Sequence, residues 1–287
     1  MKIGIVSNTG LGDALWMMVV ANNFYLQGSS VVLYSDFLCH LSGLFPHITV
    51  RKYPKEEERK REWEQFDRVI LQHHSPGSKE KNLPPHMRVV YKEELDLNKS
   101  FVLNLRDISK QYLEKATTDL GICLPKEWIY RLHDKRIVIH PLSADLAKNW
   151  SFDRFITLAK ELQKDGWEPT FVLPPQDMPW WETTLCKADL PKPQCLSWME
   201  LARFIYESAY FIGNDASPGH LASALKVPTL SIFNRYSRAV FLRPGWGPGA
   251  VVLPYGILPG RMLRIKLWKH FLPVKRVLQA FKEFSKI

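Results

Sequence analysis

Cysteine is scarce and scattered. The four residues Cys39, Cys123, Cys186 and Cys195 share no CxxC spacing, which excludes a disulfide-stapled small fold and a recognisable zinc site and favours a reducing compartment. Long apolar runs are missing too. The longest, Ala14 to Ala21, falls well short of the roughly 20 residues that cross a bilayer, so any membrane contact is expected to be peripheral. The apolar start, Met1 to Val6, runs straight into a glycine turn and is too short for a secretory leader, so a cytoplasmic protein is expected. Glycine numbers only 15 in 287 residues and follows no period. With 46% hydrophobic and 24% charged residues, the chain is expected to fold as one large or two smaller globular domains.

Acid is nearly absent from the C-terminal end. Residues 1–130 hold 17 basic and 16 acidic side chains, and 131–255 hold 14 and 12. From Gly256 to Ile287 there are eight basic residues (Arg261, Arg264, Lys266, Lys269, Lys275, Arg276, Lys282, Lys286) against Glu283 alone, so this tail carries seven of the ten excess positive charges. Such a cluster suits phosphate, in anionic lipid head groups or in a nucleotide, or is a solvated face. No RNA-binding or helix-turn-helix motif accompanies it, so nucleic acid is not an expected partner.

The pattern along the chain is that of an α/β protein. A buried strand over Lys2–Val6 leads through Gly10-Leu11-Gly12-Asp13 into a helix from Ala14 to about Gln27, with Gly28 placed to end it. Strands are expected at 31–34, 48–51, 69–72 and 88–91, a charged helix at 55–64, and a further helix at 108–120. The pattern restarts with strand 136–140, helix 152–164 and strand 170–173. Helix 197–208, strand 210–213, helix 220–225, strands 229–233 and 251–254 and a C-terminal helix near 273–285 follow. Two such starts place two domains at 1–131 and 132–287.

Three strand-to-helix loops carry candidate chemistry. In the first, Leu15 stands where the dinucleotide fingerprint GxGxxG has its third glycine, and no P-loop GxxxxGK occurs. What remains is Gly10 and Gly12, which let backbone approach a ligand, and Asp13, which fits either a helix cap or a catalytic base. The second loop, 140–150, offers Ser143 and Lys148, suited to a diphosphate, though an exposed lysine needs no ligand. In the third, Gly213 to Leu225, small residues (Ala216, Ser217, Gly219) open a helix N-terminus between Asp215 and His220, as phosphate sites require.

The run Asn214-Asp215-(x4)-His220-Leu221-Ala222-(x)-Ala224-Leu225-(x2)-Pro228 resembles the donor-site motif of glycosyltransferase family 9, the ADP-heptose:lipopolysaccharide heptosyltransferases. Gly10-Leu11-Gly12-Asp13 resembles that family's glycine turn and aspartate, and His140, Ser143, Lys148 and Trp150 its diphosphate loop. The resemblance implies a GT-B fold, two Rossmann-like domains facing each other across a cleft, with the final helix packing back on the first. It implies a nucleotide-sugar donor, most simply ADP-heptose, and a lipopolysaccharide-core or related glycan acceptor at the cytoplasmic face of the inner membrane. It further implies inverting transfer without a metal or other cofactor. Asp13 would be the general base, and Ser143, Lys148, Asp215, Ala216, Ser217, Gly219 and His220 the donor-binding residues. Glu182 is the nearest match to the family's ribose contact. Asp215-Ala216-Ser217 departs from the family's Asp-Thr-Gly or Asp-Ser-Gly, so a hydroxyl is lost or moved to Ser217. Another donor or acceptor, or an inactive nucleotide-binding protein, is the alternative.

Overall fold

The structure is a computed structural model and describes residues 1–79, 82–173, 185, 188–191, 197–256 and 267–286; Glu182, Arg261, Arg264 and Lys266 lie outside them. The chain divides into two compact units, Met1–Pro125 and Lys126–Ile287.

The first unit runs β1 (Lys2–Val6), α1 (Leu11–Leu26), β2 (Ser30–Tyr34), β3 (Thr49–Arg51), α2 (Glu56–Trp63), β4 (Arg68–Gln72), β5 (Met87–Val90) and α3 (Phe101–Ser109). All its strands are parallel, in the order β3-β2-β1-β4-β5, so the chain reverses its direction of winding between β1 and β4. Helix α1 is apolar almost all round because it packs against both β1–β2 and α3; Trp16 and Phe101 meet with ring centroids 4.4 Å apart. It starts earlier than the sequence suggests. Gly10 is its N-cap, which puts Asp13 inside the first turn rather than at the cap. Gly28 does take the left-handed conformation, with φ 81°. The charged helix α2 buries only Trp63 and is otherwise a solvated face.

The helix expected at 108–120 is a correction. The real helix, α3, starts seven residues earlier, where Ser100 accepts a hydrogen bond from the Leu103 N–H and caps it, and Phe101, Val102, Leu105 and Ile108 form its buried stripe. Beyond Ser109 the backbone closes one last turn, with the Tyr112 and Leu113 N–H groups donating to the Ser109 carbonyl, and from Thr117 on it is fastened to α1. Asn23 exchanges hydrogen bonds with the Thr117 backbone at 2.7 and 2.8 Å, and Asn22 donates to the Asp119 carbonyl. Side-chain bonds to backbone here outcompete helical ones.

The second unit runs β6 (His133–His140), α4 (Phe152–Lys164), β7 (Glu168–Phe171), α5 (Trp198–Tyr206), β8 (Ser208–Asn214), α6 (Ser217–Ala224), β9 (Thr229–Ile232), α7 (Tyr236–Leu242), β10 (Gly249–Val252) and α8 (Val274–Phe284). Its sheet is again parallel, in the order β10-β9-β8-β6-β7, with the winding reversed between β6 and β8. Gly213 allows β8 to lie close to β6: a Cβ there would sit 2.8 Å from the His140 carbonyl oxygen. The core beneath joins Ile137, Ile139, Trp150, Phe155, Phe171 and Ile212 to Val277 and Phe281 of α8. Each such fully buried side chain contributes about 1.5–3 kcal/mol. The apolar stripe of α8 packs on α4 and β10 of its own unit.

Two tail cations are also engaged locally. Arg276 donates to the Leu253 carbonyl and lies over the Tyr255 ring, and Lys282 pairs with Asp165 at 2.8 Å.

Candidate functional site

In both sheets, ligands of doubly wound proteins bind beyond the carboxyl ends of the strands at the point where winding reverses. In the first unit that point lies between β1 and β4, and in the second between β6 and β8. The residues singled out in the sequence fall at these two places, apart from Glu182.

At the end of β1, the loop Ser7–Gly10 is held by its neighbours. Ser7 Oγ donates to the Tyr34 carbonyl at 3.1 Å, and Tyr53 Oη donates to the Asn8 carbonyl at 2.9 Å. Burial, above all, raises the Tyr53 phenol above its ordinary pKa, so it stays a neutral donor. Gln72, the last residue of β4, accepts the Asn8 N–H at 2.9 Å and donates to Asp13 Oδ1 at 2.8 Å. The other carboxylate oxygen lies only 2.8 Å from where a Cβ on Gly10 would stand, so glycine at that position leaves room for it. Asp13 is half-buried in the first turn of α1, where the helix dipole favours a negative charge. A carboxylate oriented by a neutral amide such as that of Gln72 can take a proton from a nearby hydroxyl.

In the second unit, Asn214 fastens the loop after β6. Its Oδ1 accepts the Trp150 N–H at 3.1 Å and its Nδ2 donates to the Pro141 carbonyl. Within that loop, Asn149 donates to the Ser143 carbonyl, and Asp145 caps the turn Leu146–Lys148 by accepting the Ala147 N–H. His140 is buried and donates through Nδ1 to the Val172 carbonyl at 2.9 Å. Two indoles tie the loop to the C-terminal segment: Trp150 Nε1 donates to the Leu272 carbonyl and Trp268 Nε1 to the Ala147 carbonyl, both at 2.9 Å.

The centre of this region is a charge cluster. Asp215 Oδ2 receives Lys148 Nζ at 3.4 Å and Arg238 Nε at 2.6 Å; the carboxylate side chain is 7% exposed, the two cations 19% and 21%. His220 is buried beside it and feels all three charges. Desolvation dominates and lowers its pKa to about 4, so the imidazole is neutral at physiological pH. With one carboxylate against two cations, the cluster carries one positive charge in excess.

The loop after β8 offers fewer amides than its small residues suggest. The Asp215 N–H goes to the Ile232 carbonyl, the Gly219 N–H to the Ala216 carbonyl, and Pro218 has none. Ala216 caps α6 without a side-chain bond. Sequence reasoning missed Arg238, Gln72 and Tyr53. Arg238 had a readable signal, since two arginines, Arg235 and Arg238, stand where a strand passes through a short loop into a helix, the setting that drew attention to Lys148. Among the described residues, no group of three or more His, Cys, Asp or Glu side chains could hold a metal ion, and no helix is long and apolar enough to cross a membrane.

Comparison with known proteins gives the fold a family. Over 99% of its length the chain is similar to a glycosyltransferase family 9 structure from Veillonella parvula, covering 96% of it with a TM-score of 0.76 at 16% identity. It is likewise similar to Escherichia coli heptosyltransferase WaaC with ADP, covering 100% of that chain at a TM-score of 0.71 and 14% identity. These likenesses show the α/β fold of GT-B enzymes. In sequence, the chain is 30% identical over 121 residues to Lipopolysaccharide heptosyltransferase 3 of Escherichia coli; the match spans 39% of this chain and 34% of that relative's length. Residues 67–254 match the model of Glycosyltransferase family 9 (heptosyltransferase), a span that takes in β4 to β10, Lys148, Asp215, His220 and Arg238, and the chain belongs to that family.

Proposed function

We propose that this chain is an inverting glycosyltransferase that moves a heptose from ADP-heptose to a lipopolysaccharide-core or related glycan acceptor. The observation that carries the reading is the Lys148–Asp215–Arg238 cluster at the winding reversal of a family 9 sheet, with its excess positive charge. That charge suits a diphosphate, which becomes more negative as the bond to the sugar breaks. Ser143, on the loop after β6, and Ser217, the first residue of α6, serve as further donor contacts in this reading.

Asp13 is the base in this reading. It takes the proton as the acceptor hydroxyl attacks the anomeric carbon, the carbon–oxygen bond to the diphosphate breaks, and ADP leaves with the bonding electrons. General-base catalysis of this kind contributes about 10²–10⁴-fold. The transfer needs no metal, because side-chain cations neutralise the leaving group. The acceptor is brought from a membrane surface to which the remaining tail cations are attracted.

Incubation of the protein with ADP-heptose and a core-oligosaccharide acceptor, followed by mass spectrometry, tests this directly. Transfer is expected with chelator present, and Asp13→Asn is expected to abolish it while ADP binding persists. Product formation by Asp13→Asn at the wild-type rate would remove Asp13 from the role of base. ADP binding without any transfer, across a panel of acceptors, would favour an inactive nucleotide-binding protein.

A further inference from the structure

The cluster around Asp215 contains more cation than its own carboxylate requires. Arg238 and Lys148 share one oxygen of Asp215, at 2.6 and 3.4 Å, and both keep about a fifth of their side chains open to solvent. Neutral His220 adds no charge. Two amides of this loop already have backbone partners, that of Asp215 on Ile232 and that of Gly219 on Ala216, and Pro218 has none. Ala216 has no hydroxyl to offer. Amides carry no net charge, so a dianionic group bound at this end of the sheet is neutralised by side chains, and Arg238 is a second cation within reach of the same oxygen as Lys148.

Resting on the donor-site reading above, we propose that Arg238 binds the donor's diphosphate together with Lys148, and that Asp215 is the internal anion that holds both cations ready until the diphosphate replaces it. The physical logic is substitution of like for like. A carboxylate keeps two half-buried cations in place and limits their repulsion while the donor is absent. A diphosphate offers more charge and more acceptor oxygens than one carboxylate oxygen shared by two donors, so the guanidinium gains by turning to it. Asp215 is thus a positioning residue for the two cations.

Calorimetric titration with ADP, AMP and inorganic pyrophosphate tests the proposal in the full-length protein. Arg238→Gln is expected to weaken ADP and pyrophosphate about 10- to 100-fold, the usual worth of a charge-assisted hydrogen bond. AMP is expected to lose much less, and the salt dependence of ADP binding to become shallower. Arg238→Lys, which keeps a charge opposite Asp215, is expected to fold normally and recover part of the affinity. Arg243→Gln, which removes the same charge at the far end of α7, controls for net charge. Should Arg238→Gln bind ADP as the wild type does while Lys148→Gln is weakened, Arg238 serves only Asp215 and the proposal is overturned with the donor reading intact. Equal losses for AMP and ADP would mean that Arg238 acts by holding the fold, and would overturn it too. If wild-type protein binds neither ADP nor pyrophosphate, the donor reading itself fails and takes the proposal with it.

Discussion

Gln72 donates its side-chain amide to Asp13 Oδ1 at 2.8 Å while its carbonyl takes the Asn8 N–H at 2.9 Å, so one buried side chain on β4 sets both the carboxylate of α1 and the loop before it. Gln72→Leu keeps the bulk and removes both bonds. On the proposed role of Asp13 as base, its misplacement costs roughly 10²-fold in rate, so kcat for transfer is expected to fall by about that factor while ADP affinity is unchanged. An unaltered kcat would leave Gln72 with a packing role only.

His220 gives the second unit a pH dependence whose sign follows from its burial. In the unfolded chain it takes a proton near pH 6.5, whereas the folded protein resists that proton until about pH 4. Folded stability is therefore expected to fall as pH drops through that interval, by about 3 kcal/mol in full. Denaturant titrations of wild type and His220→Gln between about pH 7 and about pH 5 check it: the variant should show a flatter slope.

Gly213 is required by close approach of backbone to backbone. In Gly213→Ala the new methyl would lie 2.8 Å from the His140 carbonyl oxygen and 2.9 Å from the Phe211 ring. Overpacking of this kind costs about 1–3 kcal/mol, and the urea midpoint should drop accordingly. Because the displaced carbonyl begins the Lys148 loop, ADP binding is expected to weaken as well.

Asn214→Leu removes both side-chain bonds between β8 and the Lys148 loop, leaving the Trp150 N–H and the Pro141 carbonyl without their partner. Each orphaned buried group costs about 1–3 kcal/mol. Loss of stability is expected together with loss of ADP affinity, measured by denaturation and calorimetry on the same preparation. Stability lost with affinity retained would show that the loop holds its shape without Asn214.

The strands and most helices were legible because their signals are local. Helix 152–164 follows from a 3.6-residue apolar period that Phe155, Leu158, Ala159 and Leu162 confirm in the core. The segment after Ser109 misled because its apolar spacing is helical, while the backbone at Thr117 and Asp119 is bonded to Asn23 and Asn22, nearly a hundred residues away. The site divides in the same way. Asp13, Lys148, Asp215 and His220 sit in strand-to-helix loops or in the first helical turns after them, which announce themselves by glycine, charge and position after a strand. Gln72 and Tyr53 do not, since nothing near them in sequence shows that β4 ends beside β1, or that the phenol folds over Asn8. Arg238 is intermediate: its place just after a strand-to-helix turn was readable, but its pairing with Asp215 depends on the adjacency of β8 and β9.

The two indole bonds from Trp150 to Leu272 and from Trp268 to Ala147 have a consequence for the order in which the protein is made. Synthesis delivers the Lys148 loop more than a hundred residues before the segment that clamps it. A nascent chain that already holds β6 to β10 still lacks both clamps, and Trp150 lacks the carbonyl its indole needs. The Lys148 loop is therefore among the last parts of the second unit to settle, and a ribosome-stalled chain ending before Trp268, which also lacks the core residues Val277 and Phe281, is expected to bind ADP poorly.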